Sequence, residues 1–164
     1  MRSAVLVSAA VALSLGCKRS PPPQTRYCDQ DLSGVWVNAT DRAFAYRLED
    51  QRETVRGKFF HRDIDGGEAP PNPGEDPLLI ELHRTSTALA GTMTGKAQTR
   101  GGRQCDVKFA LRVSSCQPDA LQVVAETAYD VAEDCSRQKS EDGGDVPAQL
   151  VEFRWDRAPG ATDR

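Results

Sequence analysis

The chain is poor in the large apolar side chains from which deep cores are built. Only 6% of its 164 residues are aromatic, with two Trp, three Tyr and five Phe, and Met occurs twice. Its core must be economical, although the length suffices for one domain. A strong charge of either sign is also missing, since 21 Lys and Arg stand against 24 Asp and Glu. Nothing in that balance is basic enough to suggest a nucleic-acid partner. After Leu15 no apolar run is long enough to span a bilayer. The cysteines show no C-x-x-C spacing, so no zinc or other metal is assigned, and no cofactor is expected. His61 and His83 have no serine or cysteine nucleophile motif beside them. No catalytic residue is assigned, and the chain reads as a non-enzyme.

What is present begins at the N-terminus. Met1-Arg2 is positive, and Ala4 to Leu15 is apolar or small and uncharged. Such a run suits the h-region of a signal peptide and is too short for a membrane span. Leu13-Ser14-Leu15-Gly16-Cys17 then sets a small residue directly before a cysteine, which resembles the bacterial lipobox. The resemblance implies that residues 1–16 are a signal peptide, that Cys17 carries the lipid, and that the protein is anchored in the cell envelope. Lys18 resembles the residue that follows the lipidated cysteine in lipoproteins sorted to the outer membrane. Each buried acyl methylene contributes about 0.8 kcal/mol, so several chains hold without a transmembrane helix. Residues 17–30 form a tether with Pro21-Pro22-Pro23 in it. Proline-rich chain extends by about 3.1 Å per residue and would hold a domain roughly 20–30 Å from the bilayer. Loss of residues 1–16 leaves 148 residues with 20 basic and 24 acidic side chains, a net charge of −4.

From Leu32 the pattern has period two, which marks strands. Phe44, Tyr46 and Leu48 alternate with Ala45 and Arg47; Leu78, Ile80 and Leu82 alternate with Leu79, Glu81 and His83. Similar runs over 55–61, 89–95, 107–113, 121–127 and 151–155, with 34–38 in front, give eight candidate strands. Pro77, Pro118 and Pro147 fall at strand edges or turns, as pairing requires. Leu121, Val124, Ala125, Ala128 and Val131 also fit a helical stripe, and 43–51 tolerates a helix. Strands are preferred there because the neighbouring segments alternate. The expected fold is all-β: an antiparallel, up-and-down, eight-stranded barrel over 31–158, followed by a disordered tail over 159–164. Closure leaves no exposed edge. Cys28, Cys105, Cys116 and Cys135 in an exported chain read as two disulfides, with three possible connectivities.

Cys28-Asp29-Gln30-Asp31-Leu32-Ser33-Gly34-Val35-Trp36-Val37-Asn38 resembles the first strand of a calycin, the lipocalin and avidin type of barrel, which opens on G-x-W. Asn38 sits where avidin-like chains also carry Asn. The resemblance implies a floor closed by Trp36 beside Gly34, with an arginine of the last strand packed over the indole. Arg157 and Arg154 are candidates, and Arg157 shares the inward parity of Phe153 and Trp155. With only two tryptophans, an avidin-type biotin site is not implied. In such a topology Cys28 and Cys116 both fall at the floor, and Cys105 and Cys135 at the opposite rim. Cα atoms within about 7 Å then pair Cys28 with Cys116 and Cys105 with Cys135.

The long connections 62–76 and 129–146 lie at that rim. Inward positions toward it are Phe44, Tyr46, Phe59, His61, Ile80, Met93 and Thr127, with Gly57, Gly91, Gly95 and Ala125 leaving room. They compose either a small apolar ligand cup or a filled core. Asp63, Asp65, Glu68, Glu75 and Asp76 lack the ligand spacing of a calcium loop and read as a solvated acidic loop. The expected function is therefore a non-catalytic, lipid-anchored β-barrel of the envelope. It would bind a small apolar ligand or serve structurally. The alternative is an envelope protein-interaction or enzyme-inhibitor module that works through the rim loops.

Overall fold

The structure, a computed structural model, describes residues 26–71, 78–128 and 130–159. The signal peptide, Cys17 with the tether to residue 25, Glu75 and Asp76, and residues 160–164 of the tail lie outside the described residues.

Eight strands form one closed antiparallel barrel. They are β1 (Gly34–Asn38), β2 (Phe44–Asp50), β3 (Thr54–His61), β4 (Leu79–Arg84), β5 (Leu89–Gln98), β6 (Gln104–Cys116), β7 (Ala120–Ala128) and β8 (Gln149–Arg157). Each pairs with its neighbour in the chain, and β8 closes on β1 through Trp36↔Arg157 and Asn38↔Trp155. The two helix-tolerant segments are strands. Over 121–125 the inward residues Leu121, Val123 and Ala125 are all buried. A helical stripe through Val124 would have turned Val123 away from the core, and the β-branched pair Val123-Val124 favours extended backbone.

One end of the barrel is packed solid. Trp36, Leu48, Val55, Leu82, Leu89 and Leu121 are each at most 1% exposed. Two strands approach so closely there that only glycine fits. A Cβ on Gly91 would stand 2.0 Å from the Glu81 carbonyl oxygen. Below this layer the Trp36 indole donates Nε1–H to the Leu32 carbonyl at 2.8 Å. The Arg157 guanidinium lies 4.5 Å from the Trp36 ring centroid. It also donates to three carbonyls, Ser33 at 2.8 Å, Asp31 at 2.6 Å and Pro118 at 3.1 Å. Gly34 has φ = 120°, a backbone region closed to other L residues.

The cysteines pair as Cys28–Cys116, with Cα atoms 5.5 Å apart, and Cys105–Cys135, at 5.4 Å. The first ties the N-terminal segment to the floor, and the second ties the β7–β8 connection to β6. The barrel is uneven in height. With 10 and 13 residues, β5 and β6 outreach β1 and β4, with five and six, so one wall of the mouth is tall and the other low.

Candidate functional site

The other end carries a cluster of half-buried aromatic rings. The register sets Phe44 opposite His61 and Tyr46 opposite Phe59, so β2 and β3 present four rings to one face. Phe44 lies 5.6 Å from Phe59 and 5.3 Å from His61, and Phe59 meets His61 edge-on at 4.9 Å. Tyr46 touches Phe59 at 5.7 Å and stacks on Trp155 at 4.1 Å. These offset and edge-on contacts are the geometry aromatic pairs prefer. Burial runs along this series. Phe44, Phe59 and His61 are half-buried, Tyr46 is 9% exposed and Trp155 1%. Half-exposed rings at the mouth thus lie over a buried Tyr46–Trp155 stack. Burial pushes the Tyr46 phenol up to about 12, so it stays neutral and can act as a donor.

The remaining expected cup residues divide. Ile80 and Met93 face each other across β4 and β5. Ile80 belongs to the solid core, while Met93 is half-buried beside it, as are Leu78 and Phe153. Thr127 stands apart. The β7–β8 register shifts between Glu126 and Ala128, and Thr127 at that bulge is exposed, its hydroxyl 3.4 Å from the Gln149 carbonyl. Strict alternation placed it in the cup, but the bulge breaks the alternation before reaching it.

The rim loops behave differently from each other. The start of the β3–β4 connection turns down the outer wall. The backbones of Arg62 and Glu68 pair in a single antiparallel bridge, and the Glu68 carboxylate accepts from Arg47 at 2.7 Å and Lys58 at 2.8 Å. Both cations lie on the outward parity. Hydrogen bonding from Lys58, helped by the hydrogen bond from Arg47 and both positive charges, outweighs desolvation and holds the Glu68 carboxyl below its ordinary value. Asp63 is taken up locally, accepting from the amides of Asp65 at 3.0 Å and Gly67 at 2.7 Å. Ile64 at the tip is fully exposed. The β7–β8 connection instead rises beside β6, where Val131 is buried with Cys105 and Val107.

No family model matches this chain, and no curated protein or solved structure matches it.

A second, polar cleft of about 790 Å³ opens at the floor, lined by Arg26, Asp31, Asp50, Arg52, Glu53 and Arg84 among others. Several of its charges are paired with one another. Arg26 binds Glu53 at 3.1 Å, and Arg84 binds Asp50 through both terminal nitrogens at 3.0 and 2.6 Å. Asp50 also accepts from the amides of Leu32 at 3.0 Å and Arg52 at 2.8 Å. Asp50 is the last residue of β2 and Arg84 the last of β4. The pair's signal was parity: Arg84 continues the inward series Ile80, Leu82, and Asp50 continues Tyr46, Leu48. An inward cation requires an inward anion. Among the described residues, the buried side-chain polar atoms without a partner are Arg84 Nε and Trp155 Nε1.

Proposed function

We propose that this protein is a lipoprotein of the cell envelope, anchored through Cys17, whose barrel binds a small apolar ligand in its aromatic mouth without catalysis. One observation carries the binding half of this reading. Phe44, Phe59 and His61 remain half-exposed together at one end of a barrel whose other end is solid. A chain with so few aromatic residues gains nothing in stability from leaving several of them wet at one place. A ligand that covers them removes apolar surface from water, at roughly 25 cal/mol per Å². The cup is shallow, so the ligand lies across the rings and is not swallowed.

The anchoring half rests on the sequence Gly16-Cys17 after the apolar run 4–15. Lys18 supports the outer membrane as the destination. The calycin relationship is supported by Gly34-x-Trp36 and by Arg157 over that indole. A second reading, a protein-interaction or inhibitor module, is favoured by Ile64, which stands wholly in solvent at the tip of a loop pinned to the barrel wall.

Native mass spectrometry of the protein released from its membrane tests the binding half. The expected spectrum contains a bound apolar small molecule that leaves on collisional activation. A spectrum of the bare chain, with no uptake of added apolar compounds, overturns it. Metabolic labelling with a fatty acid tests the anchor: Cys17→Ser abolishes incorporation if the reading holds.

A further inference from the structure

Four turns near the rim share one form, spanning 63–67, 99–103, 132–136 and 140–144. In each, the first amide donates to the fifth carbonyl, and the fourth amide donates back to the first carbonyl. The distances are 3.0 and 3.1 Å for Asp63, 2.9 and 3.0 Å for Thr99, 2.9 and 2.9 Å for Ala132, and 2.8 and 2.9 Å for Ser140. The fourth residue always has positive φ: 84° at Gly66, 86° at Gly102, 69° at Cys135 and 83° at Gly143. Glycine enters that region freely, whereas a side chain is penalised there. Cys135 is the exception, and it is also the residue bonded to Cys105.

The turn that carries Cys135 sits at the mouth. Val131, just before it, packs on Cys105 and Val107, and Phe109 of the same cluster faces Met93 across β5 and β6. Its tip is fastened to the β5–β6 turn by Glu133, which accepts from the Thr99 hydroxyl at 2.9 Å and the Gly101 amide at 2.8 Å. The segment 131–137 is thus a finger laid along the tall wall of the cup.

We infer that the Cys105–Cys135 bridge is a redox latch on the mouth: formed, it holds the finger closed, and an external dithiol opens it. The inference rests on the reading of the mouth as the binding site. Cys105 is 2% exposed and Cys135 is half-buried, so Cys135 Sγ is the sulfur a reductant reaches. A thiolate of the dithiol bonds to Cys135 Sγ, the S–S bond breaks, and Cys105 departs as a thiolate that takes a proton. The second thiol of the reductant then displaces Cys135, which also ends as a thiol, while the reductant closes to a disulfide. Freed, Cys135 keeps only the turn's own hydrogen bonds against the penalty of its left-handed backbone, and the finger is left on the Glu133 contacts and Val131, so it opens more readily. Cys28 shares a positive φ of 58°. But Cys28 is buried in the main core cluster with Cys116 packed against it, whereas Cys135 packs only on the small rim cluster, so the Cys28–Cys116 bridge needs the core to open and yields later.

The test uses the full lipidated chain in phospholipid nanodiscs, titrated with dithiothreitol. Free thiols are trapped by alkylation and mapped, amide exchange is followed over 131–137, and binding of 1-anilinonaphthalene-8-sulfonate is measured at each step. Cys105 and Cys135 should be alkylated first, and exchange in the finger should rise by about tenfold or more while the strands stay protected. Earlier opening of Cys28–Cys116, or a finger that stays protected once its bridge is cut, overturns the latch. A finger that opens while the probe binds neither form supports the latch and refutes the binding reading. In the double variants, C105S/C135G should keep the finger about fivefold better protected than C105S/C135S, because glycine restores the turn's preference. Equal protection in the two also overturns it.

Discussion

The Arg84 guanidinium holds the Asp50 carboxylate with two parallel hydrogen bonds, and the two side chains are only 2% and 4% exposed. Arg84 donates further to the Arg52 carbonyl, and the Leu32 and Arg52 amides complete the carboxylate. One acid thus joins the N-terminal segment, the β2–β3 turn and the end of β4. Asp50→Asn leaves a buried guanidinium without its counter-charge and should cost roughly 3–5 kcal/mol in urea unfolding. Replacing both residues with apolar ones of similar volume should cost much less.

The same pair predicts an acid limb. Burial alone would raise the Asp50 carboxyl, but the hydrogen bonds and charge of Arg84, with those two amides, outweigh it and hold it below its ordinary value. A carboxyl depressed in the folded state stabilises the fold above its unfolded value, about 3.9. That contribution disappears as pH falls through the folded value. Stability from this source should be flat from neutral pH to about 5 and should decline below about 4. In Asp50→Asn that part of the decline should be missing, as urea midpoints across pH will show.

At the floor, Arg157→Lys should destabilise by about 1–3 kcal/mol. The ammonium does not reproduce a planar group that covers the Trp36 ring and reaches three carbonyls at once. Gly34→Ala should lower the thermal midpoint through its backbone at φ = 120°. If the lysine variant melts like the parent, the floor is held by packing alone.

Gly91→Ala sets a methyl group against a backbone oxygen that cannot swing away. The expected cost is roughly 1–3 kcal/mol, the range for overpacking. Exchange protection should fall first in β4 and β5.

Much of this fold was legible because the barrel is regular. Period two sorted Trp36, Leu48, Leu82 and Leu121 to the inside, and the up-and-down order fixed which cysteines share an end. Legibility failed where a bulge or a loop interrupts alternation. Thr127 follows the parity of Ala125 in sequence, yet the extra residue at the bulge removes it from the series. The β3–β4 connection read as part of the mouth, but Glu68 finds Arg47 and Lys58 on the outer wall, a pairing visible only once β2 and β3 are in register. The Tyr46–Trp155 stack was likewise hidden, because it depends on β8 meeting β1 so that Trp155 faces Asn38. The Asp50–Arg84 pair was open to the parity argument, because Asp50 follows Tyr46 and Leu48, and Arg84 follows Ile80 and Leu82.

The central claim is that the aromatic mouth is where an apolar ligand lies. Side-chain NMR of the protein, titrated with 1-anilinonaphthalene-8-sulfonate, is the deciding measurement. Saturable shifts confined to Phe44, Tyr46, Phe59, His61 and Met93, abolished by Phe44→Ser with Phe59→Ser, are the predicted result. Shifts centred on Ile64 and its loop, or no saturable shift at all, would contradict it.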